Sequence, residues 1–252
     1  GIKITLVAPF MEAGNFLSLH TVLESSAVVI SLLIFVIGWN VHDRGLYQHH
    51  LVMAVLFLAV GIFDFSHALS YKGMPDFVTP SGVEKGIAFW LFARLFAATG
   101  LLLASLQGAR HFAMRWNRLV LLVAVLVVTA GAHWIVFFYF YILPRTFVQG
   151  EGLTKFKLNA EYLIITINLV AAIILLHRMQ GPLNFNAGAL LGAAFIMALS
   201  ETCFTLYLST SDVFNVLGHF FKVAAYYLLY RAIFVETVDF PYITLRDSQE
   251  QL

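Results

Sequence analysis

The chain has 252 residues, of which 60% are hydrophobic and only 12% charged. A soluble domain carries about one quarter charged residues, so this composition excludes an ordinary soluble globule and describes a polytopic membrane protein. A formal net charge of +1 gives no signal for nucleic acid, and a single cysteine, Cys203, excludes an intrachain disulfide.

A membrane-crossing helix needs about 20 mostly apolar residues. Seven such stretches follow one another. The first runs from Asn15 to Trp39, the second from His50 to Ser70, the third from Lys85 to Leu106 and the fourth from Leu119 to Tyr141. The fifth covers Asn159 to His177, the sixth Ala187 to Leu208 and the seventh Val213 to Phe234. Turn chemistry separates several of them: His42-Asp43-Arg44-Gly45, Gly73-Met74-Pro75-Asp76, Pro80-Ser81-Gly82, Gln180-Gly181-Pro182 and Ser209-Thr210-Ser211-Asp212. The 24 Phe and 10 Tyr suit lipid-facing surfaces and interface belts. Gly1 to Asn15 lacks the basic start and small-residue cleavage site of a secretory signal, and Gly1 in place of Met suggests a trimmed start.

The expected fold class is therefore an all-α seven-transmembrane helix bundle. Seven crossings put the two termini on opposite sides. Lys and Arg divide almost evenly between the sides, but the densest short-loop cluster is Arg110, Arg115 and Arg118. That cluster places its side in the cytoplasm, the N-terminus outside and the C-terminus inside. Residues 1–14 form an extracytoplasmic segment and 15–235 the bundle. Residues 236–252 turn polar, with Pro241 able to start a helix, and read as the beginning of a cytoplasmic linker.

Ionisable side chains inside apolar spans are costly and mark function or tight pairing. Here they are His20 and Glu24, Asp64 and His67, Arg94, Glu201, and His219 and Lys222. At 1.5 Å per residue, all fall about 6–15 Å below the outer end of their spans. His20 and Glu24 are spaced i,i+4, and Asp64 and His67, like His219 and Lys222, i,i+3, so each pair shares a helix face. The spacing predicts one shared polar site in the outer half of the bundle.

Several chemistries suit such a site. His20, His67 and His219 with Glu24, Asp64 and Glu201 could hold a divalent metal, with Zn, Fe or Cu the expected ions and Mn also compatible. An organic ligand, haem included, is a second option. A third is an ion-pair network that only locks the bundle, Asp64 or Glu24 with Arg94 and Glu201 with Lys222. A retinal Schiff base on Lys222 ranks last, because its surroundings do not otherwise look like a rhodopsin's. His133 reads as a packing or supporting group. Cys203 points to a different face from Glu201.

Five stretches carry a resemblance: His20-Thr21-Val22-Leu23-Glu24; Asp64-Phe65-Ser66-His67 running on to Met74; Ala93-Arg94-Leu95; Glu201-Thr202-Cys203-Phe204-Thr205-Leu206-Tyr207; and Leu217-Gly218-His219-Phe220-Phe221-Lys222. Together, over about residues 15–235, they resemble the membrane-associated sensor domains of the third class, found at the N-terminus of bacterial signalling proteins. The resemblance implies a multi-pass inner-membrane sensory input module without catalytic activity of its own. It implies a cytoplasmic output domain in cis, such as a histidine kinase, a PAS domain or a diguanylate cyclase, and a possible homodimer through that output. It names no ligand. The residues alone predict binding at His20, Glu24, Asp64, His67, Arg94, Glu201, His219 and Lys222, with Tyr71 and Lys72 at the outer entrance. The alternative is an intramembrane zinc hydrolase acting on a lipid amide or ester, with a carboxylate as general base beside a metal-bound water. A transporter is disfavoured, because no polar path continues through the inner half.

Overall fold

A computed structural model of the protein describes residues 13–41, 48–107, 117–179, 187–207, 212–239 and 242. The described residues form seven long α-helices: α1 (Ala13–Val41), α2 (Gln48–Ser70), α3 (Val83–Gln107), α4 (Arg118–Phe138), α5 (Lys155–Arg178), α6 (Ala187–Leu206) and α7 (Val213–Phe234). A short antiparallel hairpin between α4 and α5 pairs β1 (Phe147–Val148) with β2 (Gly152–Leu153). Helices α1 to α6 are each long and apolar enough to cross a membrane. Helix α7 has 22 residues, but Asn215, His219, Lys222, Arg231 and three tyrosines dilute its apolar character.

The helix ends follow local chemistry. Asn117, Thr154 and Asp212 cap α4, α5 and α7 with side-chain oxygens that accept backbone N–H groups. Helix α4 stops at Phe138, three residues before the predicted end of its span, and a 3-10 turn at Phe140–Ile142 leads into Leu143-Pro144. A residue before proline avoids the helical region. Helix α5 starts at Lys155, one turn earlier than predicted, because Thr154 caps it and Lys157 turns inward. In the α2–α3 loop Gly73 holds φ +98°, a conformation only glycine adopts without strain.

Six helices close a ring. Helix α1 lies against α2 and α7, α2 against α3, α3 against α5, α5 against α6, and α6 against α7. Helix α4 stays outside, against α2 and α3. It buries one stripe, Val125, Thr129, Ala132 and Val136, at the i, i+4, i+7, i+11 spacing of a helix face. All six ring helices feed one apolar core, which includes Ile34, Met53, Leu101, Leu175, Leu190 and Leu229. Small residues such as Ala27, Ala97, Ala193 and Ala225 let the helices approach closely. This core fills the half of the ring away from the α2–α3 loop. The polar residues gather in the loop-side half.

The Arg110–Arg118 cluster falls largely outside the described residues, as do the turns at 42–47, 180–186 and 208–211. Past α7 the chain continues as one π-helical turn, Val235–Asp239. Most of the 236–252 segment lies outside the described residues.

Close approach makes a test of the packing. A Cβ on Gly38 would lie 2.8 Å from Ala54 Cβ and 2.8 Å from the His50 carbonyl oxygen, so α1 and α2 touch backbone to backbone there. Gly38→Ala should destabilise the bundle by about 1–3 kcal/mol. Gly131→Ala on the open face of α4, where nothing lies within 4 Å, should be neutral or slightly stabilising. Reversible unfolding in mixed micelles compares the two, and equal effects would contradict the α1–α2 contact.

Candidate functional site

Four helices of the ring bring charge to one place. Asp64 of α2 faces Arg94 of α3, whose Nη2 donates to Oδ1 at 2.8 Å and to Oδ2 at 2.9 Å. The Tyr226 hydroxyl of α7 donates to Asp64 Oδ2 at 3.2 Å and accepts from Arg94 Nη2. The guanidinium also lies over the rings of Trp90 and Tyr226, 4.6 and 5.0 Å from their centroids. Asp64, Arg94 and Tyr226 are all at most 1% exposed. The expected Asp64–Arg94 pair thus forms and recruits a tyrosine.

One helical turn away in α7, Lys222 Nζ donates to Glu24 Oε1 of α1 at 2.5 Å and lies 3.7 Å from Asp64 Oδ1. Lys222 therefore stands between the two carboxylates and joins both ion pairs into one network. His219 Nδ1 approaches the same Glu24 oxygen at 2.8 Å. Glu24 Oε2 makes no hydrogen bond among the described residues.

The three imidazoles stack toward the loop-side end. His20 Nε2 lies 3.2 Å from His67 Nε2. His67 Nδ1 donates to the Gly86 carbonyl at 2.7 Å, which fixes its tautomer and leaves Nε2 a lone pair facing His20. The His219 ring centroid is 4.7 Å from that of His20 and 6.2 Å from that of His67. Tyr71 covers His20, ring centroid to ring centroid at 3.9 Å. His20, Glu24, His67 and His219 each offer a ligand atom, and these atoms all lie within 4.8 Å of one another.

Not every expected member joins. Asp64 is absent from that four-residue group because both its oxygens are taken by Arg94. Glu201 is also absent, and the expected Glu201–Lys222 pair does not form. Helix α6 turns Glu201 toward α5, beside Glu161, while Lys222 follows α7 onto α1. Lys157 of α5 reaches Glu161 Oε1 at 2.8 Å and donates to the Phe204 carbonyl at 2.6 Å. Lys157 escaped the sequence reading because α5 begins a turn earlier than its apolar stretch, whereas Glu161 lies inside that stretch and was overlooked. The signal for this second buried cluster was present in the i,i+4 spacing of Lys157 and Glu161. Tyr226 was missed too, although it follows Lys222 at i+4 on the same face. His133 takes a supporting role: Nδ1 donates to Thr129 O at 2.8 Å, Ser66 Oγ lies 2.9 Å from Nε2, and its ring stacks on Phe63.

A cavity of about 30 Å³, room for about two waters, separates the two clusters. His67, His219, Lys157 and Tyr207 line its depth, and Tyr71 and Lys72 its loop side. Tyr71 and Lys72, expected at an outer entrance, line this same cavity.

A family model described as MASE3, membrane-associated sensor domain, matches residues 11–241. No curated protein and no solved structure matches the chain.

The network itself is testable. Removing one partner of a buried ion pair leaves an uncompensated charge, so Asp64→Ala should cost about 3–5 kcal/mol of stability. Adding Arg94→Leu should recover most of that loss, which would appear as coupling in a double-mutant cycle. The exposed His177→Ala should stay within about 0.5 kcal/mol of the parent. Additive losses for Asp64 and Arg94 would sink the network.

Proposed function

The chain belongs to the MASE3 family of membrane-associated sensor domains, and on that premise we propose that it is a sensory input domain whose stimulus acts on the buried network joining α1, α2, α3 and α7. In this reading a metal ion or small ligand binds at the loop-side polar site and biases two packings of the ring. Only a ligand with different affinities for the two packings can transmit a signal. The observation that carries the proposal is Lys222, held 2.5 Å from Glu24 Oε1 yet only 3.7 Å from Asp64 Oδ1. A ligand that competes for either carboxylate changes which helix α7 is tied to.

Helix α7 is the output element. It carries His219, Lys222 and Tyr226, it packs on both α1 and α6, and it runs directly into the Val235–Asp239 turn. We take α7 as a seventh membrane span, since its polar side chains face the ring interior: Asn215, His219, Lys222 and Tyr226 are all buried. The N-terminus then faces outward, the C-terminus enters the cytoplasm of a bacterial cell, and residues 236–252 lead to an output domain in cis, such as a kinase or cyclase, that can dimerise. The hydrolase alternative draws no support from a family of sensors. A transport path would have to cross the apolar core that fills the other half of the ring.

The test uses the full-length product of the gene in native membranes. Its reading frame should continue past Leu252 into a signalling output domain. Asp64→Asn should shift output activity by at least about 5-fold, the lower range of an allosteric coupling. His177→Ala, on the exposed surface at the far end of α5, should leave output unchanged. A stop codon after Leu252, or equal responses from the two variants, would overturn the sensory reading.

A further inference from the structure

We propose that His20, Glu24, His67 and His219 form a site for a borderline divalent transition metal such as Zn²⁺, and that the ion competes with Lys222 for Glu24. This deepens the sensory reading and rests on it for its biological role. The chemistry stands on the side chains themselves.

Three observations point to a metal. The first is ligand spacing. Zinc–nitrogen bonds of about 2.0–2.1 Å at tetrahedral angles put two nitrogens about 3.3 Å apart. His20 Nε2 and His67 Nε2 are 3.2 Å apart, and all four candidate ligand atoms fit within 4.8 Å. The second is orientation. A metal-bound imidazole characteristically donates its other N–H to a carbonyl or carboxylate. His67 already does so, through Nδ1 to the Gly86 carbonyl at 2.7 Å. The donor pattern therefore aims the His67 lone pair into the cluster.

The third observation is unmet polar capacity. Glu24 Oε2 and His20 Nδ1 are buried and make no hydrogen bond among the described residues. Glu24 is 0% and His20 1% exposed. Only one proton can lie between the two facing Nε2 atoms, whereas one metal ion can accept from both.

Charge decides what the ion displaces. At the site Glu24 and Asp64 are already matched by Lys222 and Arg94. A divalent ion adds positive charge to this balanced group, so its arrival opposes Lys222, the cation already seated on Glu24. Asp64, 3.7 Å away, is the nearest carboxylate to receive the displaced ammonium. Imidazole with carboxylate suits Zn²⁺, Cu²⁺ or Fe²⁺ and disfavours Mg²⁺ and Ca²⁺, which prefer all-oxygen shells. The cavity lined by Tyr71 and Lys72 also borders His67 and His219.

The experiment titrates Zn²⁺ against a competing chelator in the full-length protein, purified in detergent and stripped of metal. One equivalent should bind. His20→Ala and His67→Ala should each weaken binding by about 100-fold or more, since even supporting groups of a zinc site are worth 10–100-fold. Lys222→Met should tighten binding by removing the rival for Glu24, and Glu201→Gln should leave it unchanged. X-ray absorption at the zinc edge of the unsubstituted protein should count three imidazoles, a readout that does not depend on any variant folding. No saturable zinc, a zinc spectrum without imidazole scattering, or unchanged affinity in His67→Ala would overturn the site. Weaker binding in Lys222→Met would overturn the competition. Output activity is measured on the same samples: one bound equivalent with no change in output would refute the sensory role while leaving the metal site standing.

Discussion

Burying charge away from water demands partners, and in this bundle one cation makes the arrangement possible. Lys222 is fully buried on α7 and touches the carboxylates of both α1 and α2. Without it, Glu24 would face the histidines as a lone anion, and the Asp64–Arg94–Tyr226 group would stand as a separate ion pair. With it, four of the six ring helices share one electrostatic unit. An isolated buried charge costs several kcal/mol even after the protein relaxes, so each member of such a unit raises the cost of losing its partner. That cooperativity suits a component with two discrete arrangements better than one that deforms gradually.

The ring architecture assigns different work to its two halves. Near the α2–α3 loop, inward positions are His, Glu, Asp, Arg and Lys. Toward the other end, the same helices turn Ile34, Met53, Leu101 and Leu229 inward. The apolar half seals the bundle and gives the helices a common packing surface. In the proposed reading the polar half is where a small chemical event, the exchange of one partner of Lys222, would move a helix. Helix α7 links the two. Its Asn215, His219, Lys222 and Tyr226 face its neighbours, and its lower half returns to Ala225, Leu229 and Ala232 in the core. On the proposal, a shift of α7 at Lys222 would be felt along that close-packed seam, since close-packed interiors transmit strain.

The second cluster, Lys157 and Glu161 with Glu201, shows that the interior is not a single site. It sits across the cavity from the histidines and connects α5 to α6. Lys157 also binds the Phe204 carbonyl near the end of α6, where that carbonyl has no partner within its own helix. The ring is thus closed by polar ties on both sides of the cavity, and Trp90, Phe204 and Tyr207 pack between them.

Much of this was written in local pattern. Apolar run length determined the helices, and the i,i+3 and i,i+4 spacings determined which ionisable groups share a face. Their common depth followed from counting residues at a fixed helical rise. Those properties are one-dimensional, and a sequence carries them in full. Partner choice is different. Glu201 and Lys222 looked complementary by depth and charge, yet α6 turns Glu201 toward Glu161 of α5 while α7 turns Lys222 toward Glu24 of α1, so the two side chains do not pair although their helices touch. Asp64 and Glu24 looked equivalent as metal ligands, yet Arg94 occupies both oxygens of one and leaves an oxygen of the other without a hydrogen bond. The order of helices around the ring is a property of side-chain packing between segments far apart in the chain. Only the tertiary structure could decide which carboxylate went to which cation, and which of them was left facing the histidines.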